Sequence, residues 1–283
     1  MGEQSIPELI KAGKYAEVLS SAPEAVGLLP GFETIQLYRG LALMGTGELF
    51  VGGLAVLNSC QRQPQSLQEL EQDWALPPQA QKAVEDLLQL LGTPPPAEPD
   101  LTLASIDWSD RSGKDQAGAC YYFNACATQL EAGSLEKALQ AALRSWKCAP
   151  NYNAGMMAAT LTARLGDPRA ALPVWDQALQ CDGVDPIGWG ARGELKMQLG
   201  DHQGALADLD RAVREAPESP YPLLSRANLK LKRGDRPGGR ADRELAYRIE
   251  PRLRPARFPI GLFLLLLGII VTFLSLMVLM LRS

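Results

Sequence analysis

The sequence predicts an all-α chain, a solenoid of helix–turn–helix repeats followed by one C-terminal transmembrane helix. Three observations carry that reading. Glycines recur at Gly133, Gly166, Gly200 and Gly234, at a nearly constant spacing. Small residues stand at fixed offsets around each of them. From Ile260 to Leu281, 22 residues pass without one charge.

Self-similarity at a fixed period is the signature of a repeat architecture. Each ladder glycine is followed by Ser134, Asp167, Asp201 or Asp235. Five residues beyond come Ala138, Ala171, Ala205 and Gly239; twelve beyond, Ser145, Ala178, Ala212 and Ala246. Seventeen beyond stand Pro150, Gly183, Pro217 and Pro251, and seven before, Cys126, Ala159, Gly193 and Ala227. A helix ends at each Gly, which tolerates left-handed backbone. Ser or Asp caps the helix that follows. Small side chains let two helices approach, and Pro or Gly stops the second helix.

These residues resemble tetratricopeptide repeats, 34-residue helix–turn–helix units, and the resemblance defines four repeats over residues 118–251. It departs from the pattern at Gly183, where proline is usual. In the last repeat Arg236-Pro-Gly-Gly239 predicts a second helix that starts late or is weak. Upstream the ladder continues with Gly40, Gly47, Gly52, Ser59 and Pro64, a divergent repeat over 33–66. Gly13, Ala25 and Pro30 mark a truncated one over 5–30, with Pro23 expected to interrupt its second helix. Residues 1–92 are thus divergent helical repeats, including a helix over 79–91. The proline-rich segment 93–117 is predicted to be an extended, mobile linker that divides the array.

The uncharged run spans about 33 Å as a helix, against a hydrocarbon core of about 30 Å. Residues 259–281 are therefore expected to cross a membrane once. The polar N-terminus suggests no signal peptide, so the chain reads as tail-anchored. Residues 226–259 hold eleven Lys/Arg against four acids in a chain of net charge −4. Residues 252–258 form the basic juxtamembrane part, with Arg248, Arg252, Arg254 and Arg257 placed to meet anionic headgroups. The positive-inside rule then keeps the N-terminal region in the cytosol. Gly261, Gly268, Thr272 and Ser275 share one stripe of the anchor, a surface for self-association into a homodimer.

Chemistry is sparse. One histidine cannot furnish a paired-imidazole or His-rich metal site. Five cysteines, odd in number and without a C-x-x-C pair, read as reduced small hydrophobes. His202 lies in a helix–helix turn and reads as packing or solvated. Glu194, Asp208 and Asp210 read as solvated helix faces. No catalytic residue, metal or cofactor is expected, nor nucleic acid as a partner.

The resemblance implies a groove lined by first helices that receives a protein partner. In register it presents Phe123, Asn124, Asn153, Met157, Thr160, Ile187, Ala191, Glu194, Tyr221 and Asn228. Relatives that clamp a C-terminal carboxylate use Lys, Arg and Asn, where this chain has Phe123, Ala127, Met157, Ile187 and Ala191. The expected function is a non-enzymatic, membrane-anchored scaffold. Alternatives are an assembly factor or co-chaperone for membrane complexes, or a regulatory subunit of a partner enzyme.

Overall fold

The computed structural model describes residues 5–21, 32–63, 74–93, 99–181 and 185–255. Among them every regular element is helical: antiparallel helix pairs recur at the repeat period, giving an all-α helical repeat of tetratricopeptide-like build. The chain divides into two compact units, residues 1–208 and 209–283.

In the first unit, α1 (Ile6–Lys11) and α2 (Tyr15–Ser21) form a short pair, and α2 ends before Pro23. Then α3 (Phe32–Gly45) pairs with α4 (Leu49–Arg62), with Gly40 and Gly52 at their closest approach. A Cβ on Gly40 would lie 2.8 Å from the Gly52 carbonyl oxygen, so any larger residue would push the helices apart. Helix α5 (Pro78–Gly92) follows. Leu37, Leu41, Met44, Val56, Leu57 and Leu87 build one core with Cys120 of α6 (Gln116–Glu131). The upstream repeats therefore run directly into the later ones.

The pair α6 and α7 (Leu135–Cys148) is followed by α8 (Tyr152–Arg164) and α9 (Pro168–Ala178). Helix α10 (Ile187–Gln198) leads to α11 (His202–Glu215), whose first half belongs to this unit. The sequence expectation of a mobile, dividing linker does not describe residues 99–115. They are extended, with one 3-10 turn at Leu103–Ser105, and they are docked on α7 and α9.

The second unit contains the rest of α11, then α12 (Pro220–Lys232), α13 (Arg236–Ile249) and a 3-10 turn at Pro251–Leu253. Helix α13 starts on time, contrary to the late start read from the sequence. Asp235 caps it, accepting from the Gly238 amide at 2.9 Å. Pro237 sits in the first turn, where no amide needs an intrahelical partner. Gly239 is used for contact: a Cβ there would meet Leu231 and the Ala227 carbonyl.

The ladder glycines do what the spacing required. Gly13, Gly47, Gly133, Gly166, Gly200 and Gly234 all have positive φ, between 70° and 100°. Asp167 and Asp201 cap like Asp235, whereas the Ser134 hydroxyl makes no capping bond. The uncharged run, with Gly261, Gly268, Thr272, Ser275 and Arg257, lies outside the described residues. Within them no helix is long and apolar enough to cross a membrane.

Candidate functional site

Between α8 and α10, above α9, lies a depression of about 280 Å³. Its floor holds Trp175 and Leu195, both buried. Thr160, Arg164, Glu194 and Gln198 supply polar groups around it, with Ala163 and Ala191 between them. Register places Thr160, Ala191 and Glu194 on the groove, and the structure brings these three together. It adds Arg164 and Gln198, each one helical turn beyond Thr160 or Glu194 on the same face, a spacing that could have found them.

The other register positions are distributed differently. Asn153 and Met157 are half-buried on α8, outside this depression, and Ile187 opens α10 with 54% of its surface exposed. Phe123, half-buried, and Asn124, buried, are engaged by the preceding repeat. The Phe123 ring meets Phe50 edge-on at 5.6 Å, and the buried Asn124 amide donates to Gln61 Oε1 at 2.8 Å. The reason is that α4 packs directly against α6. In the second unit Tyr221 is 63% exposed and Asn228 is exposed, accepting from Arg243.

An ionic cluster joins α9, α10 and the first half of α11. The Arg192 guanidinium forks onto Asp208 at 2.8 and 2.6 Å and reaches back to Asp176 at 2.6 Å; Lys196 adds a bond to Asp208 at 2.9 Å. Asp208 is only 6% exposed, which corrects its reading as a solvated carboxylate. Burial alone would lower the Arg192 pKa, but Asp208 and Asp176 outweigh it and hold the cation more firmly than usual. The second unit repeats the arrangement one period further along. Arg226 forks onto Asp242 at 2.8 Å, reaches back to Asp210 at 2.8 Å, and Lys230 joins Asp242 at 2.9 Å. The hydrogen bond from Arg226 to Asp242 does most to raise the arginine's pKa, against burial. Recurrence of Arg, Lys and two Asp at the repeat period was the signal available in the sequence.

Burial pushes the Cys60 and Cys126 thiols up to about 11 and Cys120 up to about 12, so they stay protonated at neutral pH. His202 is exposed at the start of α11. Among the described residues no group of three His, Cys, Asp or Glu comes together as a metal site. Of the basic residues before the apolar run, Arg248 and Arg252 are exposed; Arg254 binds Glu244 at 2.8 Å and lies over the Tyr247 ring.

No family model matches the chain, and no curated protein does. Among solved structures, MamA from Desulfovibrio magneticus RS-1 is similar at 20% identity and TM-score 0.44, over 47% of this chain and 76% of that one. YrrB, described as a TPR protein with an unusual peptide-binding site, is similar at 13% identity and TM-score 0.43, over 84% of this chain and 92% of its own. The hetero-tetramer Cut9–Hcn1 of the APC/C gives 11% identity and TM-score 0.48, over 87% of this chain and 45% of that chain. Likeness of this degree carries nothing about binding. The repeat architecture stands on the helix pairs and their register.

Proposed function

We propose that the chain is a non-enzymatic adaptor that holds a segment of a partner protein against the first helices of its repeats. The observation that carries this is the depression between α8 and α10, an apolar floor of Trp175 and Leu195 with polar groups around it. Apolar pockets with a few convergent polar groups are the usual form of a recognition site. In the same reading, residues 259–281 cross a membrane with the repeats on the cytosolic side. Arg248, Arg252, Arg254 and Arg257 lie near anionic headgroups, and the stripe of Gly261, Gly268, Thr272 and Ser275 pairs two anchors.

Crosslinked capture from membranes, comparing the natural chain with Ala191→Arg, tests the groove. The bulky cation should remove a specific subset of partners while helicity and thermal melt are kept. An unchanged set of partners would rule out the groove. Removal of residues 259–283 tests the anchor: the shortened chain should leave the membrane fraction. Retention through high-salt and carbonate washes would contradict a single anchor.

A further inference from the structure

Residues 99–112 cross α7 and α9, the second helices of two successive repeats, and they are held there as a bound peptide is held. The Gln140 side-chain amide pairs with both main-chain groups of Leu101: its Oε1 accepts from the Leu101 amide at 2.7 Å, and its Nε2 donates to the Leu101 carbonyl at 2.8 Å. Such a pair grips extended main chain whatever the side chain, the sequence-independent half of peptide recognition. Arg144 donates to the Pro99 carbonyl at 3.3 Å and lies 3.9 Å from the Asp100 carboxylate.

The specific half lies further on. Trp108 packs on Trp146 at 5.0 Å between ring centroids, and the Arg111 guanidinium sits 4.8 Å from the same indole. Arg111 also donates to the Gln177 carbonyl at 2.9 Å on α9. Trp146 beneath is 1% exposed, yet not one residue from 99 to 115 is buried. Leu101, Leu103, Ile106 and Trp108 are half-buried and the other residues of 99–112 exposed; a segment fixed by a few such anchors opens locally at less cost than a helix core.

We infer that the α7–α9 face is a second peptide-binding site, separate from the first-helix depression, which residues 99–112 fill in cis. Its ligand in trans is an extended segment of the same chemistry on a partner protein. That segment carries an acid for Arg144, a tryptophan for Trp146 and, three residues later, an arginine for the same indole and the Gln177 carbonyl. The cis segment is present at an effective concentration on the order of millimolar, so it masks the site until a partner displaces it.

The test uses the full chain and a fluorescent peptide of residues 99–112 as the probe, read by anisotropy. Releasing the cis segment with Trp108→Ala should strengthen probe binding at least ten-fold over the natural chain. Adding Gln140→Ala should remove that gain. Arg111→Ala, at an exposed position, gives a milder release in case the tryptophan variant folds poorly. Hydrogen exchange at 101–108 in the natural chain should be faster than in α7. A released variant with native helicity that ignores the probe, or binds it equally with Gln140→Ala, overturns the proposal. Dimerisation of the released variant through exchanged segments would overturn the assignment to a partner protein. The first-helix groove can fail its own test without touching this result.

Discussion

The pairs α8–α9 and α12–α13 share one backbone plan and differ in what fills it. At matching register the earlier pair has Ala158, Thr162 and Val174, all buried. The later pair has Arg226, Lys230 and Asp242, joined by bonds of 2.8 to 2.9 Å. The glycine turn, the small residues and the aspartate cap are common to both. Helix pairing in this chain is therefore set by the close-packed small positions, and the layer beside them accepts either apolar or ionic filling. The two fillings differ in tolerance: an apolar layer degrades by degrees, while a buried ionic layer holds only with every member present.

The largest expected effect breaks that layer. Asp242→Ala leaves Arg226 only Asp210, removes the bond of Lys230, and should cost about 3 kcal/mol in a denaturant melt, the low end for breaking a buried pair. Copying the earlier pair with Arg226→Ala, Lys230→Thr and Asp242→Val together should recover most of the loss. A triple variant as unstable as the single one would show that the ionic filling is indispensable. Next come the small positions, which the comparison treats as equivalent. Ala171→Leu and Ala205→Leu each replace a fully buried methyl and should each cost on the order of 1–3 kcal/mol by overpacking. Tolerance at either site would require a new register there.

Capping sharpens the comparison at a smaller scale. Asp167→Ala and Asp235→Ala should each cost about 1 kcal/mol, because both carboxylates accept an amide hydrogen bond. Ser134→Ala should cost less, since that hydroxyl makes no such bond. The smallest effect is on acid sensitivity. Burial alone would raise the Asp242 carboxyl, but Arg226 and Lys230 outweigh it and hold it below its ordinary value of 3.8. A carboxylate with a depressed folded pKa contributes stability above its unfolded pKa and loses it as pH falls through the folded one. Stability should thus decline below about pH 4, and the decline should be shallower in the triple variant.

Much of this was legible because backbone requirements recur. Positive φ at Gly133 or Gly200 leaves a glycine in the sequence at every period, and close helix approach leaves Ala171 or Ala205. The ionic layer is equally periodic, but Asp208 looks like a surface residue until its partners across the helix pair are known. Residues 99–115 mislead for a related reason. The prolines just before and at their start, Pro94, Pro95, Pro96 and Pro99, and their polarity suggest a mobile tether, and nothing local reveals that Gln140, Trp146 and Gln177, all distant in the chain, hold the segment down. Phe123 and Asn124 fall on the groove by register, which does not say that α4 packs against both.

Asp176 and Asp210 each reach forward to an arginine of the following repeat, Arg192 and Arg226. Glu244 stands one repeat period after Asp210, and its guanidinium comes from Arg254, just past the 3-10 turn, at 2.8 Å. In polymer terms Arg254 is an end-group for the described helices: it gives Glu244, in cis, the guanidinium that the following repeat supplies to Asp176 and Asp210.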